Sequence, residues 1–226
     1  MDVTLTVLEK SSQDIVKQIN RFSPHLSRFQ LDVADGQLVQ NTTAHPSDYL
    51  QLLPTARNGL KPFPTIQYDF HLMVINPAPY LEYIYHMVTT LNIGTILVHY
   101  AIKPNFDRLK SLYPSLSFGM VLNANEDPIN VSKDYDLSFF PVIQIMTIET
   151  GFQGNPFLPE TLNKIEQLRT LHYRNKIYID GGVNETTIAD ICKAPFHPDT
   201  LCVGSYLIKS TDEDIEKRIR FLKSSC

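Results

Sequence analysis

The chain contains no tryptophan, few glycines and no long apolar run. Its 226 residues include 9 glycines and 3 cysteines. A membrane-crossing helix needs roughly 20 consecutive, mostly apolar residues, and no stretch of the sequence approaches that length, so we predict no membrane partner. The N-terminus MDVTLTVLEK has neither a basic stretch nor a small-residue cleavage site, which predicts a cytoplasmic protein.

The cysteine spacing and the charge balance exclude two further classes. Cys192, Cys202 and Cys226 are scattered rather than evenly spaced, so we predict free thiols and no disulfide framework. Cys202 lies in the apolar run LCVG and is interpreted as a small core residue. The net charge of −4 comes without a clustered basic stripe, which argues against a nucleic-acid partner. A small-molecule partner is therefore expected.

Short β-rich runs alternate with amphipathic helical runs along the whole chain. A helical pattern is clearest where Leu162, Ile165 and Leu168 recur every three residues. Repeated strand-then-helix order predicts parallel strands, because each helix returns the chain to the same end of the sheet. Strands are predicted at residues 3–8, 29–33, 65–74, 95–101, 116–122, 141–146, 176–180 and 200–204.

Eight parallel strands in a chain of this length predict an α/β fold that closes into a (β/α)8 TIM barrel. A typical barrel of this kind has about 250 residues, and this chain has 226. We therefore predict a single domain over residues 1–226. Chemistry in such barrels sits at the C-terminal ends of the strands.

Three metal-capable side chains lie at predicted strand ends. Asp32 ends the second strand, His71 lies late in the third, and Asp180 ends the seventh. Two carboxylates and one imidazole that converge at one barrel mouth can hold a divalent cation. The alternative interpretation is that they are ordinary polar residues that cap loops.

Glycine-containing loops follow the last three predicted strands. Such loops can turn backbone amides toward an anion, and barrel enzymes commonly hold a substrate phosphate after strands seven and eight. The alternative is that these glycines only serve turns that need a positive φ. The loop residues predicted to bind substrate are Gly151, Phe152, Gln153, Gly154, Gly181, Gly182, Gly204 and Ser205.

Several motifs, in their order along the chain, resemble those of the ribulose-phosphate 3-epimerases, including the related allulose-6-phosphate 3-epimerases. The resemblance covers nearly the whole chain, and the order of motifs is specific to the family. The segments that carry it are QLDVADGQLVQN (30–41), DFHLMVINP (69–77), MTIETGFQGNPF (146–157), IDGGVNETT (179–187) and VGSYLI (203–208).

The resemblance implies a barrel of the ribulose-phosphate binding type that inverts C3 of a ketose phosphate, as in the conversion of ribulose 5-phosphate to xylulose 5-phosphate. Asp32 and Asp180 would move the proton through a cis-enediolate and would also bind the metal, with His71 as a third ligand. The metal would be one divalent ion, namely zinc, iron(II), manganese or cobalt. Met73 and Met146 would line the reacting centre, although barrel core is an equal alternative for them. A homo-oligomer is also implied.

Departures from the family pattern leave a second hypothesis open. Gln30 stands where the family has its first metal-binding histidine, and an amide oxygen is a weaker donor to a transition metal than imidazole. Glu9 stands where the family has a serine, so it would repel a phosphate unless it turns to the cation and replaces the lost ligand. The second hypothesis is therefore a pseudoenzyme that keeps phosphate binding and has lost the chemistry. Retention of both aspartates favours the enzyme.

Overall fold

The computed structural model describes residues 1–50, 66–150 and 155–226. Eight parallel strands form a closed barrel in sequential order, with β8 paired to β1, which confirms the predicted (β/α)8 fold. The strands are β1 (Asp2–Val7), β2 (Arg28–Ala34), β3 (Gln67–Met73), β4 (Asn92–His99), β5 (Ser117–Leu122), β6 (Val142–Met146), β7 (Lys176–Asp180) and β8 (Thr200–Val203). The single domain over residues 1–226 stays a prediction, because two segments lie outside the described residues.

Helices lie between the strands and continue after β8. They are α1 (Ser12–Phe22), α2 (Pro46–Leu50), α3 (Ala78–Met87), α4 (Phe106–Leu112), α5 (Pro128–Asp134), α6 (Asn163–Thr170), α7 (Ile188–Lys193), α8 (Ser205–Ile208) and α9 (Ile215–Ser224). Within the described ranges, no helix is both long and apolar enough to cross a membrane.

Local sequence signals explain where several helices begin. Ser11 caps α1, because its hydroxyl accepts a hydrogen bond from the backbone N–H of Asp14. Asp127 caps α5 in the same way, and Pro128 follows at the first helical position, where a missing N–H has no cost. These caps satisfy backbone N–H groups that have no partner within the helix, and so fix where α1 and α5 begin.

The core has two layers, one on each side of the barrel wall. The outer layer packs helix side chains against outward-facing strand residues. The inner layer is a smaller apolar cluster that fills the barrel, formed by Leu97, Val121, Val142, Met146, Tyr178 and Cys202. A packed interior of this kind leaves the strand ends as the place for a site.

An ion pair between the partly buried Arg28 and the buried Asp69 lies near the start of β2 and β3. The guanidinium of Arg28 contacts both carboxylate oxygens of Asp69, at 2.6 and 2.9 Å. Asp69 also accepts the backbone N–H of Thr95 at 2.6 Å. Because every polar atom of this carboxylate has a partner, the charge is tolerated inside the barrel.

The prediction of three free thiols is wrong for two of the cysteines. Cys192 and Cys226 form a disulfide, with a Cα–Cα distance of 5.4 Å. The two residues are 34 positions apart, since Cys192 lies in α7 and Cys226 follows α9. Cys202 is free and buried, as predicted.

Candidate active site

Three strands bring the predicted metal-capable residues together at the C-terminal end of the barrel. Asp32 on β2 and His71 on β3 are direct register partners, so their side chains point into the barrel side by side. Asp180 is the last residue of β7. All three residues are buried, with 5%, 1% and 7% of the residue surface exposed in the order Asp32, His71 and Asp180.

The donor atoms of these residues converge on one point. Each offers one atom, and the three atoms lie within 4.8 Å of one another. Nδ1 of His71 is 3.2 Å from Oδ1 of Asp32 and 3.6 Å from Oδ2 of Asp180. Two carboxylate oxygens and an imidazole nitrogen at this spacing form a donor set that fits a divalent cation.

The electrostatics of the group favour a positive charge between the carboxylates. Burial and the nearby charge of Asp32 raise the pKa of Asp180 above its ordinary value. Burial opposes a charged imidazolium, but the hydrogen bond to Asp32 and the charges of both carboxylates raise the pKa of His71. Either a proton or a metal ion would supply the missing positive charge.

Two glutamine amides surround Asp180. Nε2 of Gln30 donates to Oδ2 of Asp180 at 2.6 Å and to Oδ1 of Asp32 at 3.2 Å. Nε2 of Gln144 donates to the same Oδ2 atom at 3.1 Å. Both amide oxygens face the thiol of Cys202, at 3.4 and 3.7 Å. The structure thus places Gln30 at the metal-capable group, as its sequence position suggested.

Sequence reasoning missed Gln144. The residue lies in the otherwise apolar run PVIQIM, and it is fully buried. A lone glutamine inside an apolar strand was the signal that could have found it, since a buried amide needs partners. Its partners here belong to the active-site group.

A second histidine extends the group. Nε2 of His71 lies 2.8 Å from Nε2 of His99, and Nδ1 of His99 lies 3.1 Å from Oδ1 of Asn123. Both rings are buried, with 1% of each residue exposed. Burial and the neighbouring His71 lower the pKa of His99 well below its ordinary value, so His99 is neutral. A metal-binding histidine commonly has its other nitrogen held in this way.

A cavity opens over the group, and most of the predicted substrate-binding residues line it. Among the predicted residues, its lining includes Met73, Met146, Gly181, Gly182, Gly204 and Ser205. Residues 151–154, which include the predicted Gly151, Phe152, Gln153 and Gly154, lie outside the described residues. Glu9 is not among the described residues that line the cavity, and its carboxylate accepts a hydrogen bond from Gln18 at 3.3 Å.

The turn after β7 depends on its two glycines. Gly181 has a φ of +119° and Gly182 a φ of +69°, which are values that L side chains rarely adopt. A Cβ at Gly181 would also lie 2.5 Å from Cγ1 of Ile148. Only glycine therefore lets the chain turn directly after Asp180 and keep its backbone at the cavity.

The sequence profile of the ribulose-phosphate 3 epimerase family matches residues 2–208. The chain belongs to this family. The assignment confirms the resemblance seen in the motifs, and the family is one of isomerases that act on carbohydrates. The carbohydrate-epimerase motifs therefore lie on a barrel that brings their charged residues into one group.

Relatives in this epimerase family are similar over most of their length. A protein from Helicobacter pylori named ribulose-phosphate 3-epimerase is 26% identical over 221 residues, covering 95% of this chain and 94% of that protein. A protein of the same name from Aquifex aeolicus is 27% identical over 199 residues, covering 85% and 82%.

Solved structures of similar fold include other barrel enzymes. The 3-hexulose-6-phosphate synthase from Salmonella typhimurium has a TM-score of 0.63 at 11% identity, covering 98% of this chain and 96% of that chain. Tryptophan synthase subunit alpha from Campylobacter jejuni has a TM-score of 0.61 at 16% identity, covering 96% and 93%. At these identities the likeness shows the fold alone.

Proposed function

We propose that this member of the epimerase family is a metal-dependent enzyme that inverts C3 of a ketose phosphate, of the type that converts ribulose 5-phosphate to xylulose 5-phosphate. One observation carries the proposal. Asp32 and Asp180 are buried under one cavity and share a single hydrogen-bond donor, the amide of Gln30. A drifting site has no physical reason to keep two desolvated carboxylates together.

The two carboxylates would divide acid and base roles. One carboxylate removes the proton from the carbon beside the ketone, and the other returns a proton to the opposite face, which inverts the centre. Burial beside Asp32 raises the pKa of Asp180, which makes a protonated Asp180 accessible while Asp32 acts as the base. Two carboxyl groups with separated proton affinities are the usual arrangement for such chemistry.

Asp32, His71 and Asp180 would hold the divalent ion, which we propose to be zinc, iron(II), manganese or cobalt. When bound, the cation would act as a Lewis acid that stabilises the negative charge of the cis-enediolate. Gln30 would contribute a neutral amide oxygen after its side-chain amide turns over. Met73 and Met146 would exclude water from the reacting carbon, because their thioether side chains line the cavity.

The substrate phosphate would bind to backbone amides after β7 and β8. Gly181 and Gly182 support this assignment because their backbone lines the cavity without a side chain, and Gly204 with Ser205 line the same cavity. The predicted contribution of residues 151–154 stays a prediction. So does Glu9 as a replacement ligand, although its contact with Gln18 does not support that role.

A pseudoenzyme that binds a ketose phosphate is the second candidate. It is favoured by one observation, the replacement of an imidazole ligand by Gln30, whose amide nitrogen faces both carboxylates. Such a protein would bind substrate and would not exchange the C3 proton. Proton exchange therefore separates the two candidates.

The test is exchange of the substrate C3 proton in deuterated water, followed by NMR with ribulose 5-phosphate and manganese, zinc, cobalt or iron(II). We expect exchange together with formation of the C3 epimer. Asp180→Asn removes a proton carrier with little change of shape, so turnover should fall by at least about 10²-fold, the lower range of general acid–base contributions. Asp190→Asn, at an exposed position, is the matched control and should keep the wild-type rate.

Turnover unchanged in Asp180→Asn would contradict the assignment, and binding without exchange in the wild-type protein would establish the pseudoenzyme. We also propose a cytoplasmic location, which is supported by a relative from Oryza sativa that is named a cytoplasmic isoform and is 27% identical over 168 residues. The expected homo-oligomer and the expected absence of a nucleic-acid partner stay predictions.

A further inference from the structure

We propose that His99 and Asn123 are positioning residues that set the tautomer of His71, so that its Nδ1 atom presents a lone pair to the two aspartates. The proposal rests on the metal-binding part of the proposed function. It concerns two residues to which the epimerisation chemistry above gives no role.

The side-chain oxygen of Asn123 contacts His99. Oδ1 of Asn123 is a carbonyl oxygen and can only accept a hydrogen bond. It receives the hydroxyl of Thr150 at 2.9 Å and faces Nδ1 of His99 at 3.1 Å. Nδ1 of His99 must therefore carry a proton to donate.

The imidazoles of His71 and His99 contact each other through their Nε2 atoms. Their Nε2 atoms are 2.8 Å apart, which leaves room for one proton between them and not for two. His99 is buried, and no carboxylate of the described residues is hydrogen-bonded to it, so it holds a single proton, which is already on Nδ1. Nε2 of His99 is thus an acceptor, and the shared proton belongs to Nε2 of His71.

The opposite side of the His71 ring faces the two aspartates. With its proton on Nε2, the neutral imidazole directs the lone pair of Nδ1 toward Oδ1 of Asp32, 3.2 Å away, and Oδ2 of Asp180, 3.6 Å away. Three electron-rich atoms then face one another. The amide nitrogens of Gln30 and Gln144, each 3.5 Å from Nδ1 of His71, also face these atoms, and a cation among the three atoms would add the positive charge that the amides lack. In this tautomer His71 can bind a metal without losing a proton.

The wild-type protein can be tested directly by NMR of histidine labelled with ¹⁵N, in the presence of saturating zinc at alkaline pH. We expect His99 to show a protonated Nδ1 and an unprotonated Nε2, which is the minor tautomer of free histidine. We expect His71 to show a protonated Nε2. A protonated Nε2 on His99, or a protonated Nδ1 on His71, would overturn the proposal.

Paired variants test whether the acceptor at His99 matters for metal affinity. His99→Gln can place its amide oxygen near the position of Nε2 and accept from His71, whereas His99→Leu has a similar volume and no acceptor. Zinc affinity, measured by competition with a chelator, should fall by about 10- to 100-fold in His99→Leu and much less in His99→Gln. Equal losses in both variants would overturn the proposal, because volume alone would then account for them.

Asn123→Ala tests the first contact in the hydrogen-bonded series Asn123, His99 and His71. Without the carbonyl oxygen, His99 is free to take its other tautomer, so the ¹⁵N signals of His99 should change and zinc affinity should fall. Asn130→Ala, at an exposed position, is the matched control. Unchanged His99 signals in Asn123→Ala would overturn the proposal.

These measurements separate the proposal from the proposed function. A protein that shows the stated tautomers and binds zinc, but exchanges no substrate proton, would support the proposal and refute the epimerase. A protein that exchanges the substrate C3 proton while His71 is protonated at Nδ1 would support the epimerase and refute the proposal.

Discussion

The side-chain amide of Gln30 donates a hydrogen bond of 2.6 Å to the carboxylate of Asp180 across the barrel interior. The two residues lie on β2 and β7, which are not neighbours in the sheet. Because the same amide also reaches Asp32, one neutral side chain joins the two acidic groups. Whether a proton, the Gln30 amide or a cation neutralises these two carboxylates determines which chemistry the site can support.

Restoring an imidazole at this position should strengthen metal binding. In Gln30→His a nitrogen donor would face Asp32 and Asp180, and imidazole binds transition metals better than a neutral amide. We expect the affinity for zinc to rise by about tenfold or more, in line with the 10- to 100-fold effects of residues that support metal sites. Competition with a chelator measures the zinc affinity, and Gln37→His, at an exposed position, is the control. If both variants bind zinc alike, Gln30 does not face the cation.

Removing the second amide should change the pH dependence of the reaction. The hydrogen bond from Gln144 to Asp180 stabilises the carboxylate and so lowers its pKa. In Gln144→Leu this pKa rises, and the ionised form of Asp180 is reached only at higher pH. The alkaline limb of the kcat/KM profile, above which Asp180 can no longer act as the general acid, should therefore move up by about one pH unit, since a hydrogen bond to a charged group contributes roughly 1.5 to 3 kcal/mol. An unmoved limb would show that the Gln144 amide does not act on Asp180.

Alanine at Gly181 should destabilise the protein more than alanine at Gly36. Both glycines have a positive φ, +119° and +80°, but the added Cβ would lie 2.5 Å from Ile148 in the first case and 3.3 Å from Thr42 in the second. We expect the free energy of unfolding to fall by about 3 kcal/mol for Gly181→Ala and about 1 kcal/mol for Gly36→Ala. Denaturant titration measures both. Equal losses would mean that the contact with Ile148 relaxes without cost.

Breaking the disulfide should lower stability without affecting the site. Cys192 and Cys226 are 34 residues apart, and closing a loop of that size in the unfolded chain corresponds to about 3 to 4 kcal/mol. Cys226→Ser should therefore lower the free energy of unfolding by up to that amount in oxidising buffer and have little effect in reducing buffer. Denaturant titration in the two buffers measures the difference. If reductant does not change the wild-type stability, the two thiols are not paired in solution.

The barrel could be predicted from the sequence because the signals for strands and helices are local. The strands are short β-rich runs and the helices begin at recognisable caps, so all eight strands were predicted with boundaries only a few residues different. Asp32, His71 and Asp180 were predicted as one group for a related reason. They lie at the ends of parallel strands, and such ends meet at the same mouth of a barrel.

Partners that lie far apart in the chain were beyond sequence reasoning. Gln144 reads as part of an apolar strand, and only the barrel shows that its side chain points inward to Asp180. From the sequence, Glu9 could either repel a substrate phosphate or turn to the cation, whereas in the structure its carboxylate accepts a hydrogen bond from Gln18 on α1. The pairing of Cys192 with Cys226 is equally invisible, because three cysteines allow several pairings.

The amino-acid sequence by itself determined the eightfold alternation of strands and helices, the family, and the ends of the strands at which charged residues lie. Only the tertiary structure decided which atoms meet, namely the two amides on Asp180 and the second imidazole on His71. The physical reason is that the two-residue periodicity of a strand specifies whether a side chain points to the inside or the outside of the barrel. Hydrogen bonds across the barrel depend instead on how eight strands close, which is a property of the whole chain.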